Sequence, residues 1–201
     1  MRFATTIAAA AALSLAAASA IAGDSHNHGH SHDHSHDHSD DHGDGEKRQL
    51  DAHVHGEGVL NIAVEGGELQ MELASPGADI VGFETKPETD EQKAAVEAAK
   101  KTLSDPIAVF GPSAAANCEI EKADVKLHVE EETGHSEFHA EYHLDCANMD
   151  ELKGMQVTYF DLFEGAEALE VTVLGGDSQT AFEVTRDAPS LDLSGLDLNG
   201  S

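Results

Sequence analysis

Apolar and polar residues alternate along the chain from Leu50 onward, which is the pattern of a strand that buries one face. The positions predicted to face the core are Ala52, Val54, Leu60, Ile62 and Val64. The positions predicted to face outward are His53, His55, Glu57 and Asn61. The pattern therefore predicts that His53 and His55 project from the same face of one strand.

A tight hairpin is predicted after this strand. Gly66 and Gly67 form the Gly-Gly pair that favours a two-residue turn. The alternation resumes in "LQMEL" at 69–73, whose apolar residues are expected to face inward, and the Pro-Gly pair at 76–77 is expected to end the strand.

One helix is predicted with a clear beginning and end. Thr89, with Gln92 three residues later, forms a capping box ahead of "DEQKAAVEAAKKTL", a run of good helix formers. Asp105-Pro106 follows this run, so we expect the helix to end before it.

The second half of the chain is predicted to be mostly strands. One strand has Val125, Leu127 and Val129 on its inward side, and the next has Phe138, Ala140, Tyr142, Leu144 and Cys146. If the intervening turn "EETGHS" is symmetric, His128 lies directly opposite His139, on the face away from the core. Further strands are predicted at "MQVTYF", "LEVTVL" and "QTAFEVT".

Two segments share a pattern that is consistent with a repeated hairpin unit. They are "LNIAVEGGELQ" at 60–70 and "LEVTVLGGDSQ" at 169–179.

The predicted fold class is α+β, mainly antiparallel β with one helix, preceded by a disordered His-rich tail. The predicted boundaries are a leader at 1–22, the tail at 23–49, one α+β domain at 50–195 and a flexible C-terminus at 196–201.

The first residues, "MRFATTIAAAAALSLAAASAIA", have the features of a secretory signal peptide. Arg2 precedes an alanine-rich apolar run, and Ala20 and Ala22 fit a small-residue cleavage site. The run has no basic flank that would stop transfer, and no later segment approaches the ~18 apolar residues of a spanning helix. We expect cleavage near Ala22, with no stable membrane anchor, and a soluble exported product.

The chain is strongly acidic, with a formal net charge of -28 at pH 7. This charge excludes a nucleic-acid or anionic-membrane partner held by basic patches. Dense acidic residues also keep a protein soluble, so the charge alone does not identify a cation-binding function.

Cys118 and Cys146 are the chain's two cysteines. In an exported protein a cysteine pair predicts a disulfide. Zinc ligands usually come as closely spaced pairs such as C-x-x-C, and these two residues are far apart in sequence.

Histidines occur at nearly every second position between the predicted leader and the domain. They are His26, His28, His30, His32, His34, His36, His38 and His42. The segment has no large apolar side chain with which to form a core, so we expect it to be disordered. Because neutral imidazole is the commonest metal ligand, a flexible chain of this kind is expected to bind several ions with modest affinity.

The domain contributes its own candidate metal ligands. His53 and His55 have a spacing suited to two ligands of one ion, and the residues that could complete the site are His128, His135, His139 and His143. Each of these could instead be a solvated strand histidine.

Common catalytic motifs are absent from the sequence. "HAEYH" at 139–143 lacks the glutamate next to the first histidine that a zinc protease needs, and it alternates like a strand. No P-C-x-x-C, G-x-S-x-G, P-loop or dinucleotide motif is present. We therefore do not expect an enzyme.

The segment "LDAHVHGEGVLNIAVEGGELQMELASPGADIVGFETKPETDEQKAAVEAAKKTL", followed by Cys118, "YHLDC" and "VTYFDLF", resembles the ZrgA type of zinc-regulated periplasmic zinc-uptake proteins. The "AHVHG" opening and the "SP…GFE" pattern carry the resemblance. It implies an exported zinc-binding protein that works with an ABC-type zinc importer, and it implicates His53 and His55 as ligands.

The resulting prediction is a periplasmic protein that captures and buffers Zn²⁺ and assists its uptake, with zinc ABC-transporter components as partners. Two alternatives remain open. One is a sequestering resistance protein for nickel, cobalt or copper, which would be induced by excess metal rather than by zinc starvation. The other is a zinc-dependent hydrolase, which would need an open coordination position and a nearby general base.

Overall fold

A computed structural model describes residues 54–198. The strands are β1 (Glu57–Glu65), β2 (Glu68–Pro76), β3 (Cys118–Val129), β4 (Ser136–Cys146), β5 (Gly154–Gln156), β6 (Ala168–Gly175), β7 (Ser178–Thr185) and β8 (Ser190–Asp192). The α-helices are α1 (Gly77–Val81), α2 (Asp90–Leu103), α3 (Pro106–Phe110) and α4 (Tyr159–Leu162), and single 3₁₀ turns lie at Ala114–Ala116 and Met149–Glu151.

Six strands form one mixed sheet in the order β3-β4-β2-β1-β6-β7, and β5 and β8 form a separate pair. Neighbouring strands of the main sheet are antiparallel except β1 and β6, which run parallel. The predicted β-rich fold with one long helix is confirmed for the described residues, whereas the parallel pairing was not predicted. The predicted tail lies outside them.

The first hairpin agrees with its pattern except at its beginning. Leu60, Ile62 and Val64 are buried in β1, and the apolar residues of "LQMEL" are buried in β2. Ala52 and His53 of the predicted strand lie outside the described residues. The strand β1 begins at Glu57, and Val54, which was predicted to face the core, is 56% exposed. His55 therefore lies in a turn and not on a strand face, because Gly56 takes a φ of 86°.

The long helix α2 begins and ends where the sequence predicts. The Thr89 hydroxyl accepts the Gln92 amide at 3.1 Å, and Gln92 Oε1 accepts the Thr89 amide at 3.1 Å, which completes the capping box. Val96, Ala99 and Leu103 face the core, so the helix covers part of the inward face of the sheet.

The predicted strand at "MQVTYF" is wrong in its second half. The strand β5 ends at Gln156, and α4 begins at Tyr159. Tyr159 and Phe160 are adjacent and both buried. Successive side chains of a strand point to opposite faces, so a helical turn is the conformation that buries both against one core.

The register between β3 and β4 differs from the symmetric turn that was predicted. His128 pairs with Glu137, and His139 pairs with Lys126, so the two histidines are diagonal neighbours and not direct partners. The reason is the connecting segment, where Glu130 and His135 close the loop through a 2.8 Å backbone hydrogen bond. The predicted face is correct.

A disulfide joins Cys118 and Cys146, as predicted. The two residues are direct cross-strand partners at the start of β3 and the end of β4, with Cα atoms 3.9 Å apart. The bond closes the hairpin at the end opposite its loop.

The core lies between the inward face of the main sheet and the helical segments. Phe110 stands 5.8 Å from Tyr142 and 6.3 Å from Tyr159 between ring centroids. Arg186 secures the loop after α4, because its guanidinium donates to the backbone carbonyls of Phe160, Phe163, Glu164 and Ala166. The chain continues past the predicted domain end at 195 with Leu198, which is buried.

Candidate metal centre

His55 lies in a turn that leads directly into β1. The Glu57 amide donates to the Val54 carbonyl at 3.1 Å, which closes the turn. Gly56 has the positive φ that favours glycine, and an added Cβ there would lie 3.3 Å from Glu167 Cγ. The local sequence "VHGE" therefore places His55 at the tip of a turn, with 66% of its side chain exposed.

Hydrogen bonds from distant segments fix the position of this turn. The Gly56 amide donates to Asp79 Oδ1 at 2.9 Å. The Gly56 carbonyl accepts the Glu167 amide at 2.8 Å and the Ala168 amide at 2.9 Å. The backbone beside His55 is thus attached to α1 and to the start of β6, so the fold sets where this histidine lies.

His55 and His135 both contact the side chain of Glu84. His55 Nε2 contacts Glu84 Oε1, and His135 Nε2 lies 3.5 Å from Glu84 Oε2. Glu84 follows α1, which ends at Gly82 in the left-handed conformation, and His135 ends the loop between β3 and β4. We call His55, Glu84 and His135 the Glu84 site.

The donors of the Glu84 site have the chemistry that zinc prefers. Two imidazole nitrogens and one carboxylate oxygen are a frequent zinc ligand set. The side chain of Glu84 is 21% exposed and that of His135 is 57% exposed, so an ion can reach the site from solvent.

Asp79 lies beneath this site and is 3% exposed. Among the residues that the structure describes, its Oδ2 atom has no hydrogen-bond partner. Burial raises the pKa of this carboxyl, although the Gly56 amide and the charge of His55 act in the opposite direction. Its contact with the Gly56 amide gives Asp79 a role in holding the His55 turn.

A second group of histidines surrounds Glu137 on the outward face of β3 and β4. His139 Nε2 contacts Glu137 Oε2, and the rings of His128 and His139 have centroids 5.4 Å apart. The hydrogen bond from His139 to Glu137 raises the pKa of His139, which partial burial opposes. We call His128, Glu137 and His139 the Glu137 cluster.

His143 lies apart from both groups. It is four residues farther along β4 than His139, and its cross-strand neighbours are Gln70 on β2 and Lys122 on β3. The predicted set of domain histidines therefore divides into His55 and His135 at Glu84, His128 and His139 at Glu137, and His143.

Within residues 54–198, no three histidine, cysteine, aspartate or glutamate side chains are arranged to contact one ion together. In the Glu84 site the two histidines contact different oxygens of the carboxylate, so a shared ion would require small side-chain rotations. His53 and the eight tail histidines lie outside the described residues, and their predicted ligand roles remain predictions.

Two carboxylates of these groups were not predicted from the sequence. Glu137 lies two residues before His139, so the strand alternation that placed His139 outward also places Glu137 on that face. Glu84 gave no signal of alternation, because it reaches His55 and His135 only through the turn of the chain after α1, but it is the glutamate of the "GFE" pattern that carries the resemblance.

Comparison with known families gives one match. The family model described as ZrgA family zinc uptake protein matches residues 52–193. A comparison with curated proteins found no match. Among the helices described within residues 54–198, none is long and apolar enough to cross a membrane.

The matched segment contains every strand of the main sheet, as well as both groups of histidines with their carboxylates. Since it covers most of the sequence, the chain belongs to the ZrgA family of zinc uptake proteins.

Proposed function

We propose that the protein captures and buffers Zn²⁺ in the periplasm and assists its uptake by an ABC-type importer. Family membership supports zinc uptake as the broad role. The observation that carries the site is that His55 and His135, from opposite halves of the domain, contact the same carboxylate of Glu84. Zinc is the cargo in this proposal, so the function is binding and not catalysis.

Hydrogen bonds hold the backbone at both histidines of the Glu84 site. The His55 turn is held through the amide and carbonyl of Gly56. The His135 carbonyl accepts the Glu130 amide at 2.8 Å, and the His135 amide donates to Thr133 Oγ1 at 3.2 Å. Both imidazoles contact the Glu84 carboxylate. Zinc would bind the same three side chains, with the imidazoles in their neutral form.

The tail histidines at 26–42 would act as a reservoir. Many overlapping sets of imidazoles can bind one ion with nearly equal free energy, so the tail is expected to bind zinc with modest affinity. Because the tail is covalently attached to the domain, it raises the local concentration of zinc near the folded site. The leader pattern at 1–22 supports export, where such a reservoir would meet incoming metal.

Zinc binding by the Glu84 site can be measured in a full chain whose eight tail histidines are replaced by Gln. We call this protein the tail-substituted chain. Competition with a chromophoric zinc chelator should show that Glu84→Gln lowers zinc affinity at least tenfold, on the order of the loss seen when metal-site contacts are removed. Glu88→Gln is the matched control, because Glu88 is an exposed glutamate in the same connection between α1 and α2.

Equal affinities in Glu84→Gln and Glu88→Gln would show that Glu84 is not a ligand. The role in uptake has a separate test. Zinc starvation should induce the protein, and its deletion should slow growth at low zinc. Induction by excess nickel, cobalt or copper would instead support the sequestration alternative.

A further inference from the structure

We propose that the Glu137 cluster is a second divalent-cation site, suited to Zn²⁺ and separate from the Glu84 site. The inference rests on the proposed zinc binding and extends it from one folded site to two. Its evidence is independent of the Glu84 site, because it comes from the geometry of His128, Glu137 and His139 on adjacent strands.

The spacing of the two imidazole rings fits a shared ion. Zinc binds imidazole nitrogen at about 2.0–2.1 Å in tetrahedral geometry, which places the centroids of two bound rings about 5 Å apart. The centroids of His128 and His139 are 5.4 Å apart. An ion could therefore contact both rings without a change in strand register.

Glu137 can supply a third donor after a side-chain rotation, because no three such donors among the described residues are already arranged around one point. It lies directly opposite His128 in the β3–β4 ladder and two residues before His139, so all three side chains emerge on one face. The Glu137 carboxylate contacts His139 Nε2. Zinc could replace the proton of that contact and remain bound to both groups.

The lysines of β3 on this face are paired with carboxylates. Lys126, which lies opposite His139, is paired with Asp124 at 2.6 Å between Nζ and Oδ2. Lys122, farther along β3, is paired with Glu141 at 2.9 Å. Both nearby lysines thus have carboxylate partners on the same face, which reduces their repulsion of a divalent ion.

The Glu137 cluster is open to solvent at His139 and largely buried at Glu137. The His139 side chain is 42% exposed, while that of Glu137 is 11% exposed. An ion bound between β3 and β4 near their loop would hold this end of the hairpin, as the Cys118–Cys146 disulfide holds the other end.

The test uses the tail-substituted chain and counts bound zinc by equilibrium dialysis with metal analysis. We expect two zinc ions per chain. The double variant His128→Gln, His139→Gln should bind one zinc ion, having lost the ion of the Glu137 cluster. Glu137→Gln should bind that ion of the cluster more weakly. The variant Glu84→Gln, His55→Gln should lose the other ion and retain that of the Glu137 cluster. His143→Gln, on the same strand and face, is the matched control and should keep both.

Each alternative outcome has a distinct meaning. If the tail-substituted chain binds one zinc ion and loses it only in the Glu84 variants, the proposed function stands and this inference is wrong. Loss of all zinc in His128→Gln, His139→Gln would show a single shared site and contradict the proposal of two separate sites. A tail-substituted chain that binds no zinc would refute both proposals.

A second measurement does not depend on whether these variants fold. In the tail-substituted chain with His128 and His139 present, imidazole ¹⁵N signals of both residues should shift on zinc addition, while those of His143 should not. Unchanged His128 and His139 signals in a zinc-loaded chain would overturn the inference.

Discussion

At the residue scale, the buried residue Asp79 contacts the turn that carries His55 of the Glu84 site. Its carboxylate accepts the Gly56 amide, and Gly56 adjoins His55. No periodicity in the sequence singles out Asp79, because its role depends on a contact between residues that are 23 positions apart. An acid in the segment "SPGAD" could equally have been an exposed residue at the start of a helix.

We predict that Asp79→Asn stabilises the metal-free protein at pH 7. Burial raises the pKa of Asp79 above its ordinary 3.8, so the folded state binds this proton more tightly than the unfolded state. The free energy of unfolding therefore falls as pH rises from 3.8 through the raised pKa. Asparagine keeps an acceptor oxygen for Gly56 without the buried charge.

Urea unfolding at several pH values in the presence of a chelator would measure this effect. The parent should lose stability across that interval, and Asp79→Asn should not show this loss. Asp177→Asn is the control, because Asp177 lies in an exposed hairpin turn. A less stable Asp79→Asn protein at pH 7 would mean that the ionised carboxylate is needed to hold the turn.

At the element scale, local patterns predicted the elements that local interactions determine. The capping box located the start of α2, and alternation located β1, β2, β4, β6 and β7. One error arose where tertiary packing decided the conformation, and another where a connecting loop set the strand register. Tyr159 and Phe160 form a helical turn because both pack into the core, and the register of β3 with β4 follows from the loop that ends at His135.

The β3–β4 hairpin leads to a prediction about its disulfide. Replacing Cys118 and Cys146 by Ser should lower the free energy of unfolding by about 3–4 kcal/mol, because the unfolded chain regains the entropy that the cross-link removes. Urea unfolding of the oxidised parent and of the double variant measures the difference. Addition of reductant should destabilise the parent and leave the variant unchanged.

Thiol titration provides an independent check of the same bond. The unfolded but unreduced protein should contain almost no free thiol. Two reactive thiols per chain would contradict the disulfide and would restore Cys118 and Cys146 as candidate metal ligands.

At the scale of the whole molecule, the topology is what sequence reasoning missed. The segments at 60–70 and 169–179 both form hairpins, but their first strands β1 and β6 lie side by side and parallel. Pairing between strands so distant in sequence leaves no local signal. The same limit applies to the Glu84 site, whose three residues come from three separate segments.

The full chain is expected to release zinc in two steps between about pH 7 and pH 5. Imidazoles with an unperturbed pKa near ~6.5 must lose a proton before they bind metal, so protons compete with zinc. The tail should release first, because its ligands are solvated and interchangeable. The folded sites should release at lower pH, because their ligands are held in place by the domain.

A pH titration of bound zinc, followed by metal analysis, would resolve the two steps. The less acidic step should be absent from the tail-substituted chain. The more acidic step should be altered by His55→Gln. If the full chain releases zinc in a single step, and replacement of the tail histidines does not change that step, the tail does not act as a separate reservoir.

The hydrogen bonds from the Glu167 and Ala168 amides to the Gly56 carbonyl have a consequence for the newly made chain. Synthesis proceeds from the N-terminus, so His55 emerges long before β6 exists. Until β6 arrives, the turn lacks two of the bonds that fix it. A chain truncated before Glu167 would therefore keep the three side chains of the Glu84 site but lose two of the hydrogen bonds that hold the His55 turn in place.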